Sequence, residues 1–580
     1  MKTLRPISKA RISKARISPQ RLRSQSCLWG SPRRPSRARG GWRAGGLALA
    51  GVAALGAAGC TVPVPPGGGS TTTSSTTTVT APPPTTTGGR YDIGAPRMTD
   101  LWLDPSGGDD SNTGSDRSHS IRTLDAAWQR IPASAPSAAQ GGTRIQVLPG
   151  TVPFDSIRNN WFEGRHGSAD APIIFQAADG PGTATLDGGM NIFDVSYLYL
   201  IDLSFPAGGG HPAATDTVVH VERGDHILIR RSTLTGDRGE AAGMKESLKV
   251  NQSRNIYVED SDISGGWDNP LDWVGVQYGH IVANRVHHGG DWCAYVKGGS
   301  AHVRVEANEL SDCGTGGFTA GQGTGFEYMQ APWLHYEAYG VEFVNNVVHD
   351  VEGAAFGTNG GYNILFAYNT AYRVGARSHV IEVAHGGHGC DGEIALCSEH
   401  NRQGGWGPDG AGEEQPVVPS RHVAIYNNLF LNPAGTQSQW QHFFVDGPNP
   451  VPPGWNLTGP SRVDEDLRIR GNVIWNGPAD LPLGVEDSEA CTSANPTCNV
   501  DQLRRDNAIN TVEPRLVDPA RGDFRLAAPI VAPTATVPPV DWSDAPTRPD
   551  VRSMPYTWSD AVNHTRDGAP RNLPGAPGAY

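Results

Sequence analysis

The stretches His302-VRVEANELSD, Val341-EFVNNVVHD and Asn363-ILFAYNTAY decide how the chain is read. Each is a β-rich run that closes on a polar corner and restarts on a short apolar run. The pattern occurs earlier as Asn255-IYVEDSDIS and His280-IVANRVHH, and later as His422-VAIYNNLFLN and Asp466-LRIRGNVIWN. Its shared polar position falls at Asp262, Asn284, Asn308, Asn346, Asn369, Asn428 and Asn472, with spacings of 22, 24, 38, 23, 59 and 44 residues. Three spacings are one period of about 23, and the longer ones leave room for loops or an extra turn. Apolar residues alternate within each run (Val303, Val305; Ile364, Phe366), which is a strand period and not a helical one. A single coil leaves its apolar face wet, so a core arises only by stacking coils. Asn recurring at one corner suits a ladder in which each amide answers the next, every bond adding about 1 kcal/mol and fixing register. Asn-rich turns in a β-sandwich are the alternative. The regular spacing points instead to an all-β chain folded as a parallel β-helix.

Composition bounds the function. The 580 residues are 18% charged, with 73 Gly and 46 Pro, as turn-rich β structure requires. The formal charge of −12 conceals an asymmetry: residues 1–59 hold thirteen Lys/Arg and no acid, leaving 34 bases against 59 acids in the rest. A body that acidic is a poor binder of nucleic acid or anionic membrane, and an anionic substrate there needs a local cation.

Residues 1–60 read as an export segment, with a basic start, an apolar run from Gly45 to Gly59 and small residues before Cys60. Leu55-Gly-Ala-Ala-Gly-Cys60 resembles a bacterial lipobox, which implies lipidation at Cys60, although Ala57 stands where Leu is usual. Plain secretion is the other reading. Residues 61–94 are Thr, Ser, Pro and Gly, a stalk without core pattern. The β-helix is expected over 95–485 and an irregular segment packing on it over 486–580. Cys390/Cys397 and Cys491/Cys498 are each seven apart in loops and suit local disulfides. Cys293 and Cys313, twenty apart, suit neighbouring coils, either bonded or merely packed.

Near the start, Thr123-LDAAWQRI places Leu124, Ala127, Trp128 and Ile131 on one helical face, a short N-terminal helix suited to capping an open solenoid end. The Asp109-DSNTG turn, the Thr123-LDAAW helix, Leu148-PGTV and Asp518-PARGDFRLAA together resemble the right-handed parallel β-helix proteins of the pectate lyase superfamily. That resemblance covers about residues 95–580. It implies the fold, an exported location and a polysaccharide partner engaged by a monomer, with any membrane contact made through the lipid anchor.

Aligning coils on the corner stacks Leu248-KVNQ, Asp272-WVGVQ, Ala294-YVKGG, Phe318-TAGQG, Phe356-GTNGG and Val380-IEVAHG. Strict alternation then turns Lys249, Gln277, Tyr295, Lys297, Gln322, Asn359 and Glu382 toward one outer groove. Asp268, Asp272, Asp291 and Trp292 border it on one side, and Arg377 and His379 lie farther along. β-Elimination on a uronic-acid glycan needs a base for the proton α to a carboxylate and a cation for the developing enolate charge. Similarity to β-helix lyases that use calcium and a lysine implies Lys297 as base and Ca²⁺ on Asp268, Asp272 and Asp291. Arg377, His379 and Glu382 would complete the catalytic groove, with Lys249, Gln277, Trp292, Tyr295, Gln322 and Asn359 holding substrate. Each has a plainer role open to it: Lys249 and Lys297 as solvated strand edges, Asp268 and Asp272 as turn caps, Trp292 as loop packing. A non-catalytic glycan-binding surface protein and a paired-carboxylate hydrolase remain the alternatives to a lyase.

Overall fold

The protein is described here by a computed structural model covering residues 89–207, 217–239, 245–330, 333–440, 442–477, 481–485, 489–547 and 562–580. Cys60, the export segment and most of the stalk lie outside these residues.

Strands of successive coils pair in parallel, and they sort into three faces of a β-helix. The first face stacks Glu246–Asn251, Leu271–Val274, Trp292–Lys297, Gly316–Ala320, Ala354–Asn359 and Ile381–Ala384. The second stacks Arg254–Glu259, Gln277–Val282, Ser300–Glu306, Ala338–Val344, Gly361–Ala367 and Arg421–Tyr426. The third is a twelve-stranded sheet of short strands from Gly150–Val152 to Ala508–Ile509. It carries the stacking past residue 485, so the coil region is longer than the sequence suggested. Inward residues such as Leu248, Val250, Leu271, Trp273, Phe318, Phe343, Phe356 and Phe366 are fully buried in one core. Phe318 stacks on Phe343 and Phe356 on Phe366, each pair at 4.7 Å.

The corner between the second and third faces is the most regular feature. A residue in the left-handed region (Asp260, Ala283, Ala307, Asn345, Tyr368, Asn427, Gly471) turns the chain there, at φ between 52° and 72°. The next residue carries the ladder. The backbone N–H of Asn284 donates to Oδ1 of Asn308, Asn308 to Asn346, Asn346 to Asn369, Asn369 to Asn428 and Asn428 to Asn472, all at 2.9 Å. Asn472 donates to Asn507 at 3.0 Å, a rung beyond the expected end. Below Asn284 the rung is Ser261 and not Asp262: the Ser261 N–H donates to Asn284 Oδ1, while the Asp262 side chain points outward from the third face. The pattern was misplaced by one residue because a serine hydroxyl serves the same corner, with the Ser232 N–H donating to Ser261 Oγ.

A short helix spans Leu124–Arg130, with Thr123 accepting from the Ala126 N–H at its start. It buries Leu124, Ala127 and Trp128, the Trp128 ring meeting Phe162 edge-on at 5.1 Å.

The outer side of the second face is covered in part by residues 90–91 and by the segment 564–571. Tyr91 stacks on Tyr257 at 4.2 Å and Arg90 pairs with Asp260 at 2.7 Å. Toward the C-terminus His564 meets Glu306, and the Arg571 guanidinium lies 3.9 Å over the Tyr368 ring. The first face is left with the loops that enter and leave its strands.

Asn346→Ala removes the acceptor of the Asn308 N–H and three contacts of its own amide, all shielded from water. A buried donor left unanswered costs about 1–3 kcal/mol. Urea unfolding should show a loss of that size; a change under about 0.5 kcal/mol would mean that the ladder does not set coil stability.

Candidate functional site

On the first face the register is fixed by pairing. His220, Lys249, Asp272, Tyr295, Thr319, Gly357 and Glu382 occupy one outward column. A second outward column runs through Asn251, Val274 and Lys297, and Asn359 stands in the corresponding position above. Strands about 4.8 Å apart thus line up side chains that are distant in sequence. Gln277 does not belong here. Left-handed Gly275 (φ 68°) turns the corner after Val274, so Gln277 opens a strand of the second face and donates to the Gly299 carbonyl at 3.0 Å. The inward pair of that strand is Leu271 and Trp273, and Val276 joins the core just beyond the corner.

Lys249 is held fast. Its Nζ lies 2.9 Å from Glu246 Oε1 and 2.5 Å from Asp272 Oδ2, and the Asp272 side chain is wholly buried. Burial alone would lower the Lys249 pKa, but Asp272 and Glu246 outweigh it and hold the amine above the usual lysine range. Glu246 is pushed up to about 7 by burial, against the opposing pull of Lys249. Beside them His220 is brought down to about 4 by burial and by the Lys249 charge, and its Nε2 lies 3.1 Å from Asn251 Nδ2. Lys249 is therefore a structural cation and does not stand free for a ligand.

Lys297 contrasts with it. Its Nζ donates to Gln322 Oε1 at 2.8 Å and rides 4.4 Å over the Tyr295 ring. Among the described residues no carboxylate comes within ion-pair distance of it, yet Asp268, Asp291 and Glu414 all feel its charge. Asp268 is pushed up to about 6, first by burial and then by the Asp291 charge. Asp291 is raised by burial, partly offset by Thr315.

The remaining expected members divide. Gln322 accepts from Lys297, and Asn359 Oδ1 accepts from the Thr319 hydroxyl at 2.8 Å. Glu382 is in the column, raised by burial although Ser378 donates to it at 2.9 Å. Arg377 turns away from Glu382 to pair with Glu352 at 2.5 Å and to donate to the Gly314 carbonyl at 3.0 Å. His379 packs between Trp440 and Phe444, at 5.2 Å and 5.3 Å. Trp292 and Tyr295 are buried together with Ala354, so neither offers an open face to a sugar. Asp268, Asp272 and Asp291 do not form one three-carboxylate cluster among the described residues: Asp272 is bonded to Lys249, while Asp268 feels the Asp291 charge. The single group of three His/Cys/Asp/Glu ligand atoms near one another among the described residues is Glu327 with Cys390 and Cys397, and those cysteines are bonded. Disulfides also join Cys293 to Cys313 and Cys491 to Cys498.

Glu414 escaped the sequence reading because it arrives on a distant insertion, the strand Gly412–Val418 paired to Gly386–Cys390. Its carboxylate packs against Gly323 and Gly387, where a Cβ would come within 2.2 Å and 2.6 Å of it. The two glycine runs (Gly321-QGTG, Gly386-GHG) were the available signal. His388, in the second run, is buried against Glu337 at 2.7 Å and braces the insertion.

No protein-family model matches this sequence, and no curated protein matches it. Solved structures similar to it include pectate lyase Pel9A, at 14% identity over 60% of this chain and 80% of that one, TM-score 0.35. A rhamnogalacturonan lyase matches at 14% identity over 60% and 84%, TM-score 0.33. The Streptococcus pneumoniae surface protein and adhesin PfbA matches at 9% identity over 60% and 87%, TM-score 0.37. Strand pairing within the chain, and not these overlaps, defines the β-helix.

A carboxyl with a raised folded-state pKa keeps a proton that the unfolded chain releases, so its contribution to stability falls as pH rises between the two values. For Glu246 that window runs from the ordinary glutamate value to about 7. Glu246→Gln should therefore gain thermal midpoint relative to the parent as pH rises from about 5 to about 7.5. A difference that stays constant with pH would show that Glu246 is ordinary.

Proposed function

We propose that this protein is an exported, surface-tethered, polysaccharide-active β-helix whose first face cleaves a uronic-acid-containing glycan by β-elimination. The supporting observation is the contrast between two amines on that face. Lys249 is ion-paired with Glu246 and Asp272, whereas Lys297 donates to the neutral amide of Gln322 and has no carboxylate within ion-pair distance among the described residues. In this reading Lys297 Nζ removes the proton α to the uronate carboxylate. The electron pair forms the carbon–carbon double bond as the bond to the glycosidic oxygen breaks. The departing oxygen takes a proton from water, and the ammonium formed at Lys297 returns its proton to solvent. Gln322 fixes the base from the far side of the groove.

The uronate carboxylate enters a region already holding Asp268, Asp291 and Glu414. A hard divalent cation such as Ca²⁺ suits the oxygen donors of Asp268 and Asp291, and when bound it would offset the enolate charge. Asp272 is committed to Lys249, so the other ligands would be water and substrate. Export and lipid attachment at Cys60 belong to the same proposal, as does action as a monomer.

Incubation with a panel of uronans, with and without a chelator, should give ultraviolet absorbance from the unsaturated product. Lys297→Ala should lower that rate by about 10²–10⁴-fold, the usual contribution of a positioned base. New reducing ends without unsaturation would mean hydrolysis, and glycan affinity with neither product would mean a binding protein; either result sets elimination aside.

A further inference from the structure

Away from the groove, the third face carries a chain of four titratable side chains. His287 Nε2 lies 3.0 Å from Asp262 Oδ1, His287 Nδ1 lies 2.5 Å from His288 Nδ1, and His288 Nε2 lies 3.1 Å from Asp312 Oδ2. Neighbouring residues of a strand point to opposite sides, so adjacent histidines ordinarily diverge. Here His287 ends the strand Arg285–His287, and His288 adopts a left-handed backbone at φ 60°. That turn brings both rings to one side, with centroids 4.7 Å apart and planes at 72°.

A carboxylate only accepts hydrogen bonds, so Asp262 and Asp312 each hold a proton on the Nε2 of its histidine. The two Nδ1 atoms then face one another, an arrangement completed by a proton on one ring or by a metal ion that draws the two nitrogens slightly apart. The nearby guanidiniums turn to the carboxylates instead. Arg285 Nη1 is turned to Asp262 Oδ2 at 3.2 Å and Arg238 Nη1 to Asp312 Oδ1 at 3.3 Å. Carboxylate–histidine pairs of this kind orient the imidazoles of metal centres. The arginines also cancel the acid charge, leaving neutral nitrogen donors that favour Cu²⁺, Ni²⁺ or Zn²⁺ over Ca²⁺ or Mg²⁺. The pair opens on a hollow of about 520 Å³ that Thr235, Asp237 and Ser264 help to line, with space for water to complete a coordination shell.

We propose that His287 and His288 form a binding site for a divalent transition metal, oriented by Asp262 and Asp312 and independent of the first-face groove. The probe is Cu²⁺ added to the chelator-stripped full chain, followed by calorimetry and electron paramagnetic resonance. We expect one tightly held Cu²⁺ with coupling to two imidazole nitrogens, not displaced by excess Ca²⁺. His288→Gln should remove the two-nitrogen signature and most of the affinity. Asp312→Asn should weaken binding by about 10–100-fold, as loss of an orienting carboxylate does. His288 is largely exposed, so its replacement should leave the thermal midpoint in place as a check on folding. Equal Cu²⁺ affinity and spectra in the parent, His287→Gln and His288→Gln would identify adventitious binding at other histidines and overturn the proposal. Absence of retained Cu²⁺ in the parent would overturn it as well, leaving a proton shared between the rings.

Discussion

At each ladder corner from Ser261 to Asn472 one backbone N–H points to a side chain of the neighbouring coil. The carboxamide of the following coil answers it, from Ser261 through Asn284 and upward to Asn507. Leaving such a donor unanswered is costly, whereas any single bond contributes little. The ladder therefore acts by exclusion: a coil shifted by one residue would bury an unpaired amide and also turn its apolar side chains to water. Register is decided there, and everything on the first face inherits it.

Inheritance of register is what gathers scattered residues into one column. Asp272 stands over Lys249, and Tyr295 over Asp272, because Leu271 stands over Leu248 and Ala294 over Leu271. The result is a face where charge is desolvated on purpose-built backbone, so that Asp268 and Glu246 hold protons more tightly than in water while Lys249 stays charged. Residues 90–91 and 564–571 pack on the second face, and loops border the first.

The ladder and the coil period were legible in the sequence because spacing survives insertion of loops. Asn369 and Asn428 are 59 residues apart and still bonded. Detail was lost where a corner is built by something other than asparagine. Ser261 hid one rung, and Gly275, by turning the chain early, moved Gln277 to another face. Burial was not legible at all for Trp292 and Tyr295, since the residues that cover an outward side chain belong to other coils. Arg377 was correctly placed along the chain but not in space, because Glu352 one coil below claims it. Glu414 is the converse, far along the chain and adjacent in space. The left-handed turn at His288 likewise leaves no mark in the amino-acid pattern, and without it two consecutive histidines carry no meaning.

The disparity between the corners has a practical side. Rungs of the ladder keep the same 2.9 Å bond whether 23 or 59 residues separate them, so slack in the chain is taken up wholly by the loops flanking the first face. One edge of the molecule behaves as a fixed spine and the opposite edge as an open margin. Segments of foreign length and composition could be spliced into that margin, and the spine would carry the change without transmitting it to neighbouring coils.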